Sequence, residues 1–439
     1  LLARAAQRTL DVQYYIWRRD MTGTLLLEAL HGAADRGVRV RLLLDDYGVS
    51  GLDGELAALD SHPNIRVRLF NPFFTRRPKW LGFLTDFRRA NRRMHNKVFI
   101  VDGRAAIVGG RNIGDEYFGA ADGVLFADLD ALCVGPVVGD VSGDFDRYWN
   151  SASAYSVRDV LPAAGTDRLA MLAKACGRVE RNPAAAGYVE AVRRSHFMGD
   201  LSAGTLDLEW APVRMVSDDP AKGLARAGRE GHLVHQLGEI IGEPERDVEL
   251  VSPYFVPTAA GAESFAELAR RGIRVRIFTN SLEATDVAAV HAGYAKRRGT
   301  LLDAGVVLYE MRRKPPEPVR GRGSGLFAGS AGSLHAKTFA VDGRRVFIGS
   351  FNFDPRSANL NTELGFVIES PHLARRIEET FDTEIPANSY RVRRDGKGRM
   401  SWLETRDGKT IRRDREPGAG IARRFLVFVL SHLPIEPLL

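Results

Sequence analysis

The stretch RGVRVRLLL at residues 36–44 returns almost unchanged as RGIRVRIFT at residues 271–279. Each copy follows a run with apolar residues near i, i+3 and i+4, TLLLEALHGAAD (24–35) and AESFAELAR (262–270), which predicts a helix. Before each helix lies an apolar, aromatic-bearing strand, VQYYIW (12–17) and LVSPYFV (250–256). Strand, helix and strand in this order make a βαβ unit, so each half is expected to hold a largely parallel sheet covered by helices. The expected fold is therefore α/β, with two fused halves related by a pseudo-twofold axis. Each half is a mixed sheet flanked by helices, and the two share one active site.

A second repeat extends the first. MHNKVFIVDGRAAIVGGRN (94–112) aligns without a gap to LHAKTFAVDGRRVFIGSFN (334–352). His95 pairs with His335, Lys97 with Lys337, Asp102 with Asp342, Gly109 with Gly349 and Asn112 with Asn352. One H-x-K-x-x-x-x-D arises easily by chance. Two copies, each trailed at equal distance by G-[GS]-x-N inside a longer repeat, do not.

Side chains alternate along a strand, so each histidine and its lysine face one way. The Asp-Gly pairs at 102–103 and 342–343 predict tight hairpin turns. The return strands then bring Asn112 and Asn352 back beside their own His and Lys. A cleft holding two imidazoles, two ammoniums and two amides suits a phosphodiester, because the donors stabilise charge on the phosphoryl oxygens. One neutral imidazole is placed to attack phosphorus and the other, protonated, to supply the leaving oxygen with its proton. Each histidine then needs an acceptor on its second ring nitrogen. Asp128 in FADLDAL and Glu363 in NTELGFV lie at corresponding places downstream and are the expected acceptors. No carboxylate cluster suggests a metal, and this chemistry calls for no cofactor. Asp102 and Asp342 lie in the turns or point away from His and Lys, so a structural role suits them at least as well as a direct one.

Composition narrows the partners. The 439 residues carry 62 Lys+Arg against 55 Asp+Glu, a net charge of +7, which suits an anionic partner. Two cysteines, Cys133 and Cys176, exclude a disulfide framework and a Cys-rich zinc site. Cys133, in an apolar run, is expected to be a small buried hydrophobe. No run reaches the roughly 18 apolar residues of a membrane span. The chain opens on Leu1 with a strand-like run soon after, so a preceding signal or anchor segment is expected. His232 and His235 share a helix face without a third ligand. GRGSGLFAGSAGS (321–333) has the composition of a phosphate loop but matches no such motif, and is expected to be a mobile loop.

The doubled H-x-K-x-x-x-x-D with its trailing G-S-x-N resembles the phospholipase D superfamily over nearly the whole chain. The wording of RMHNKVFIVDGRAAIVGGRNIGDEYF, SPYFVPT, TNSLEATDVAAVHAGYAKRR and SHLPIEPLL is similar to bacterial cardiolipin synthases of the C-type branch. The resemblance implies a catalytic set of His95, Lys97, Asp102, His335, Lys337 and Asp342, with His95 as nucleophile and His335 as general acid. It implies phosphate binding by Lys97, Lys337, Asn112, Asn352 and Ser350. Gly110 stands where the second copy has Ser350, which departs from the full motif. The implied reaction transfers a phosphatidyl group from phosphatidylglycerol or phosphatidylethanolamine to phosphatidylglycerol, at a membrane surface, the bacterial inner membrane.

Two segments favour lipid over nucleic acid. Residues 70–93 interleave Phe73, Phe74, Trp80, Leu81, Phe83, Leu84 and Phe87 with seven Lys/Arg, as an interfacial segment on anionic lipid does. The ending IARRFLVFVLSHLPIEPLL (421–439) places an apolar run after Arg423 and Arg424. The expected organisation is an N-terminal half at 1–165 with the 70–93 insertion, a helical connector at 166–230, a C-terminal half at 231–385 and a tail at 386–439 with a hairpin and an apolar end. The rival readings are a phosphodiesterase or nuclease of the same superfamily and a non-catalytic membrane-binding scaffold.

Overall fold

The computed structural model describes the chain except residues 77, 80, 121–125, 164, 166, 184, 187–189, 191–195, 314–331 and 407. Trp80 and most of the glycine-rich stretch at 321–333 therefore lie outside the described residues.

Two mixed sheets are built on one plan. In the first, Thr9–Ile16, Arg39–Gly48 and Ile65–Phe70 run parallel, and Val98–Val101 joins Thr9–Ile16 antiparallel. In the second, Asp247–Val251, Arg274–Asn280 and Val307–Met311 repeat the parallel set, and Thr338–Val341 takes the antiparallel place. The register repeats too: Leu10 faces Val101 and Val248 faces Val341. The crossovers are the helices Met21–Asp35 and Thr258–Arg270, which lay Leu27, Leu30 and Ala33, or Ala262, Phe265 and Ala266, on the sheet. Asp20 caps the first helix by accepting from Gly23 N at 3.0 Å, a device worth roughly 1 kcal/mol.

Both sheets extend beyond this common core. Ala105–Gly109 and Asp130–Val134 widen the first, and Ala154–Ser156 closes its other edge. Arg345–Gly349 and Leu364–Glu369 widen the second, and Val213–Ser217 then forms its edge. At the opposite edge, Ser389–Arg394, Met400–Arg406 and Lys409–Arg413 add an antiparallel meander. Residues between the halves and in the tail thus supply strands to the second sheet.

The halves share a core. Val98, Ile100, Val108 and Tyr148 of the first pack in one buried cluster with Val251, Phe278, Ala336 and Phe366 of the second. Burying such a side chain contributes about 1.5–3 kcal/mol, so the interface between the halves is held by the same force as each half's interior. A short parallel pairing of Phe126–Ala127 with Ser333–Leu334 ties the halves directly.

Candidate active site

A buried acceptor at the end of each second strand places the histidine. Asp45 accepts the backbone N–H of Met94 at 2.8 Å, and Asn280 at the matching repeat position accepts that of Leu334 at 2.9 Å. Met94 and Leu334 each precede a histidine. Burial raises the Asp45 carboxyl to about 6 despite the Arg93 guanidinium facing it at 3.2 Å. An alignment carried one residue past Leu44 and Thr279 would have paired Asp45 with Asn280, so the signal was present in the sequence.

The two halves exchange partners at the cleft. His95 N donates to Thr362 O at 2.9 Å, and His95 Nδ1 meets Glu363 Oε2 at 2.8 Å. His335 N donates to Ala127 O at 2.7 Å, and His335 Nδ1 meets Asp128 Oδ2. Each imidazole is therefore oriented by a carboxylate of the opposite half, with backbone and side chain gripped by consecutive residues. Both histidines, both lysines and both carboxylates are buried. Each lysine Nζ also donates to its own histidine's carbonyl, Lys97 to His95 O and Lys337 to His335 O, which leaves its other N–H groups for a ligand.

The electrostatics of the two pairs differ. Burial first, then the Lys97 and Lys337 charges, hold His95 well below its ordinary range, so it is neutral. His335 is lowered to about 4 by burial and Lys337. Burial raises Glu363 to about 7 even with Lys97 and the Ser350 hydroxyl favouring its charge. Burial also disfavours charge on Asp128, but His335 and Lys337 outweigh it and hold the carboxylate low. Lys337 is lowered to about 8, chiefly by burial.

The remaining expected residues divide. Ser350 is buried, but its hydroxyl donates to Glu363 Oε2 at 2.5 Å and receives Leu364 N at 3.1 Å, so it buttresses the carboxylate that orients His95. Asn112 is occupied in the same way: its Oδ1 accepts Ile16 N at 3.2 Å and its Nδ2 donates to Tyr117 Oη at 3.1 Å. Asn352 is buried with its Oδ1 lacking a protein partner, which makes it the freer of the two amides.

Asp102 and Asp342 are not brought to the cleft. They occupy the first position of Asp-Gly hairpins with φ of 54° and 56°, followed by Gly103 and Gly343 at 63° and 59°, the two left-handed residues of a type I′ turn. Asp102 Oδ1 accepts Arg8 N at 2.7 Å and Thr9 N at 2.9 Å, while Asp342 Oδ1 accepts Glu245 N at 2.9 Å and Arg246 N at 2.8 Å. Each aspartate pins the start of its half's first strand. At about 3.3 Å per residue, the intervening segment carries Asp102 on the order of 20 Å from His95. Their expected catalytic role is corrected to a structural one. Asp102→Ala is expected to lower the unfolding free energy in urea by about 2 kcal/mol and to leave kcat within about twofold at a permissive temperature. A large loss of kcat with unchanged stability would restore the catalytic reading.

Several residues at the cleft escaped the sequence. Tyr15 lies edge-on to His95 at 4.9 Å, and Tyr117 and Phe126 flank His335 at 5.2 and 5.3 Å. Tyr254 Oη donates to Asp286 at 2.8 Å. Asp218, between the halves, accepts Glu363 N at 2.8 Å and pairs with buried Lys222 at 2.9 Å, fixing the backbone that carries Glu363. The SDDP start of its short helix was the available signal.

The 70–93 segment is anchored more firmly than its composition suggested. Arg76 and Lys79 pair with Asp46, Arg93 with Asp45 and Arg89 with Asp86, so these basic groups are satisfied within the chain. Phe73 is buried, while Phe74, Leu84 and Phe87 remain exposed. Cys133 is half-buried against the shared core, whereas Cys176 is buried. His232 begins the helix Leu233–Ile241 and His235 faces Glu239. Among the described residues, the ligand atoms of His31, Asp35 and His62 all lie within 4.8 Å of one another, a spacing that could hold a metal ion. However, His62 Nδ1 accepts Asn64 N at 3.1 Å, which leaves the proton on Nε2, facing Asp35 at 3.3 Å as a donor.

A sequence profile described as "Cardiolipin synthase, PLD-like domain" matches residues 2–149 and 237–385. Cardiolipin synthase C of Escherichia coli K12 is 48% identical over 441 aligned positions, spanning 100% of this chain and 92% of that protein. Cardiolipin synthase B of the same organism is 24% identical over 90% of this chain and 79% of its own length. Among solved structures, phosphatidylserine synthase of Haemophilus influenzae Rd KW20 shares the fold, with a TM-score of 0.59 at 16% identity, covering 89% of this chain and 83% of that one. Both matched regions coincide with the two halves that meet at the crossed histidine–carboxylate pairs, and the chain belongs to the phospholipase D-like cardiolipin synthase family.

Proposed function

We propose that the protein is a phosphatidyltransferase that makes cardiolipin through a phosphatidyl-histidine. The observation that carries this reading is the pair of buried imidazoles, each oriented from the opposite half, with a buried lysine beside each. The similarity to a protein named cardiolipin synthase C supports the substrate class.

In the first step His95 Nε2 attacks the phosphorus of a phosphatidyl donor. The bond from phosphorus to the headgroup oxygen breaks, and His335 Nε2–H gives that oxygen its proton. In the second step the hydroxyl of a phosphatidylglycerol headgroup loses its proton to His335 and attacks phosphorus. The P–N bond then breaks and frees His95. Lys97, Lys337 and Asn352 hold the phosphoryl oxygens, because donors aimed at developing charge lower the barrier more than any other single device. The environments support this division of labour: the ionised Asp128 favours a proton on His335 against the burial and Lys337 charge that lower it to about 4, and a bound phosphate offsets that charge, while Glu363 shares a proton with a neutral His95.

This reading fixes the sign of the pH dependence. Below about 7 Glu363 takes up a proton, donates to His95 Nδ1 and moves the imidazole proton to Nε2, which blocks the attacking lone pair. Above about 8 Lys337 loses its charge and a phosphoryl donor. Because the acid His335 is lowered to about 4, kcat/KM in mixed micelles is expected to be level between about 4 and 7, to fall roughly tenfold per unit on either side, and to fall more steeply above about 8. A flat profile from acid to alkali would count against the pairing.

The deciding experiment is mass spectrometry of lipid products from vesicles of phosphatidylglycerol, with and without phosphatidylethanolamine, beside a His95→Ala control. Cardiolipin formed only with His95 present supports the transferase, and its dependence on phosphatidylethanolamine names the donor. Phosphatidic acid alone makes water the acceptor. No lipid product from either protein overturns the reading in favour of another phosphodiester such as nucleic acid. The membrane surface is the expected site of action, although among the described residues no helix is long and apolar enough to cross a membrane.

A further inference from the structure

The tail builds a groove that the chemistry above does not use. It measures about 920 Å³ and lies between the meander strand Met400–Arg406 and the C-terminal helix Ile421–His432. Met400, Trp402, Phe425 and Phe428 supply an apolar wall, and Arg415 and Arg424 stand on its rim. The helix is docked through one face only. Val427 is buried against Leu282 and Ala292, whereas Ile421, Phe425 and Phe428 are 79%, 66% and 61% exposed. Arg412 and Arg399 on the same rim are engaged by Asp414 and Asp395. Arg415 and Arg424 have no carboxylate partner among the described residues. Large apolar side chains left in water beside two free guanidinium groups mark an interaction surface whose partner is both greasy and anionic.

We infer that this groove binds an anionic phospholipid of the membrane surface, outside the catalytic cleft, with the phosphate on Arg415 and Arg424 and the acyl chains along Phe425 and Phe428. The inference rests on the lipid reading of the active site. Charge selects the occupant: the chain carries a net +7, and a guanidinium pair matches a phosphate diester. An amphipathic helix lying in the interface plane needs an apolar face and a basic border, which this helix presents.

The groove is also wired to the cleft. Arg423 of the same helix donates to Thr285 O at 2.7 Å, and the next residue, Asp286, accepts Tyr254 Oη at 2.8 Å. Tyr254 precedes Phe255, which bridges to Phe353, the neighbour of Asn352. A lipid seated in the groove therefore rests on an element connected through Thr285, Asp286 and Tyr254 to the backbone beside Asn352.

The test uses the full chain carrying His95→Ala, so that no turnover intervenes. Binding is measured by cosedimentation with phosphatidylcholine vesicles, with and without phosphatidylglycerol. R415Q/R424Q is expected to weaken binding to the anionic vesicles by roughly 10–30-fold and to leave binding to neutral ones unchanged. F425S/F428S is expected to weaken both, with circular dichroism unaltered. Restored to the His95 background, both double variants should keep the parent's kcat in detergent micelles, where docking to a bilayer is not required. Binding to anionic vesicles that survives both double variants overturns the proposal, as does an equal loss on neutral and anionic vesicles for R415Q/R424Q. Failure of the parent to make cardiolipin while this binding pattern holds would sink the functional reading and leave the groove standing.

Discussion

Mixed with a phosphatidyl ester of p-nitrophenol, His335→Asn is expected to release a stoichiometric burst of p-nitrophenolate and then nearly stop, while His95→Asn releases none. The reason lies in what each step asks of each imidazole. p-Nitrophenolate is a good leaving group and departs without a proton, so the first step survives the loss of the acid. The second step still needs a base for the acceptor hydroxyl, and only His335 is placed to serve. The covalent adduct on His95 Nε2 then persists and should be seen as an added phosphatidyl mass on the protein. On natural lipids, whose headgroup oxygens leave poorly, both variants should lose about 10⁴-fold or more in kcat. The assignment of roles follows from the unequal carboxylates, since the ionised Asp128 favours a proton on His335 and the raised Glu363 does not favour one on His95. If His335→Asn gave no burst and His95→Asn gave one, the two histidines would exchange roles. If both turned over normally, neither would be catalytic.

Much of this site was legible in one dimension because the gene encodes it twice. The repeat of RGVRVRLLL announced a parallel strand in each half, and the repeat of H-x-K placed one imidazole and one ammonium on each. The Asp-Gly turns were equally local: both residues adopt positive φ, as the dipeptide predicts. What one dimension withheld is which carboxylate meets which histidine. Asp128 and Glu363 lie 33 and 28 residues after His95 and His335, and position alone pairs each with the nearer one. The fold crosses them, because the two halves pack face to face and each lends a strand end to the other's cleft. Non-local satisfaction also explains the basic segment at 70–93. Its Arg76, Lys79 and Arg93 answer buried Asp45 and Asp46, whose carboxylates would otherwise lack a counter-charge. Asp218 and the joining of the tail hairpin to the second sheet were missed for the same reason: each depends on a partner distant in sequence, as Asp218 does on Glu363 and the hairpin on Val307–Met311.

The departure of Gly110 from the motif leads to the second large expected effect. Replacing Gly110 with serine completes the motif on paper, yet Gly110→Ser is expected to lower kcat by about 10²–10³-fold with KM for lipid little changed. In the second half the serine works because its partner is a glutamate: Ser350 Oγ reaches Glu363 Oε2 at 2.5 Å, and the same oxygen meets His95 Nδ1 at 2.8 Å. In the first half the partner is Asp128, one methylene shorter, so its backbone stands closer. A Cβ on Gly110 would lie 2.3 Å from Asp128 Oδ1 and 3.2 Å from its Cγ, and Oδ1 already accepts Leu129 N at 2.9 Å. The carboxylate would have to move, and its other oxygen is the one that holds His335. Gly110→Ala should therefore cost as much as Gly110→Ser, because the carbon does the damage and not the hydroxyl. Asp128→Asn should cost a similar factor, and combining it with Gly110→Ser should add little, since both act by freeing the same imidazole. Gly110→Ser activity within about threefold of the parent, with the fold intact, would show either that the loop relaxes or that Asp128 does not orient His335. The burst assay separates these outcomes: a relaxed loop leaves both steps fast, whereas a freed His335 slows the second step most.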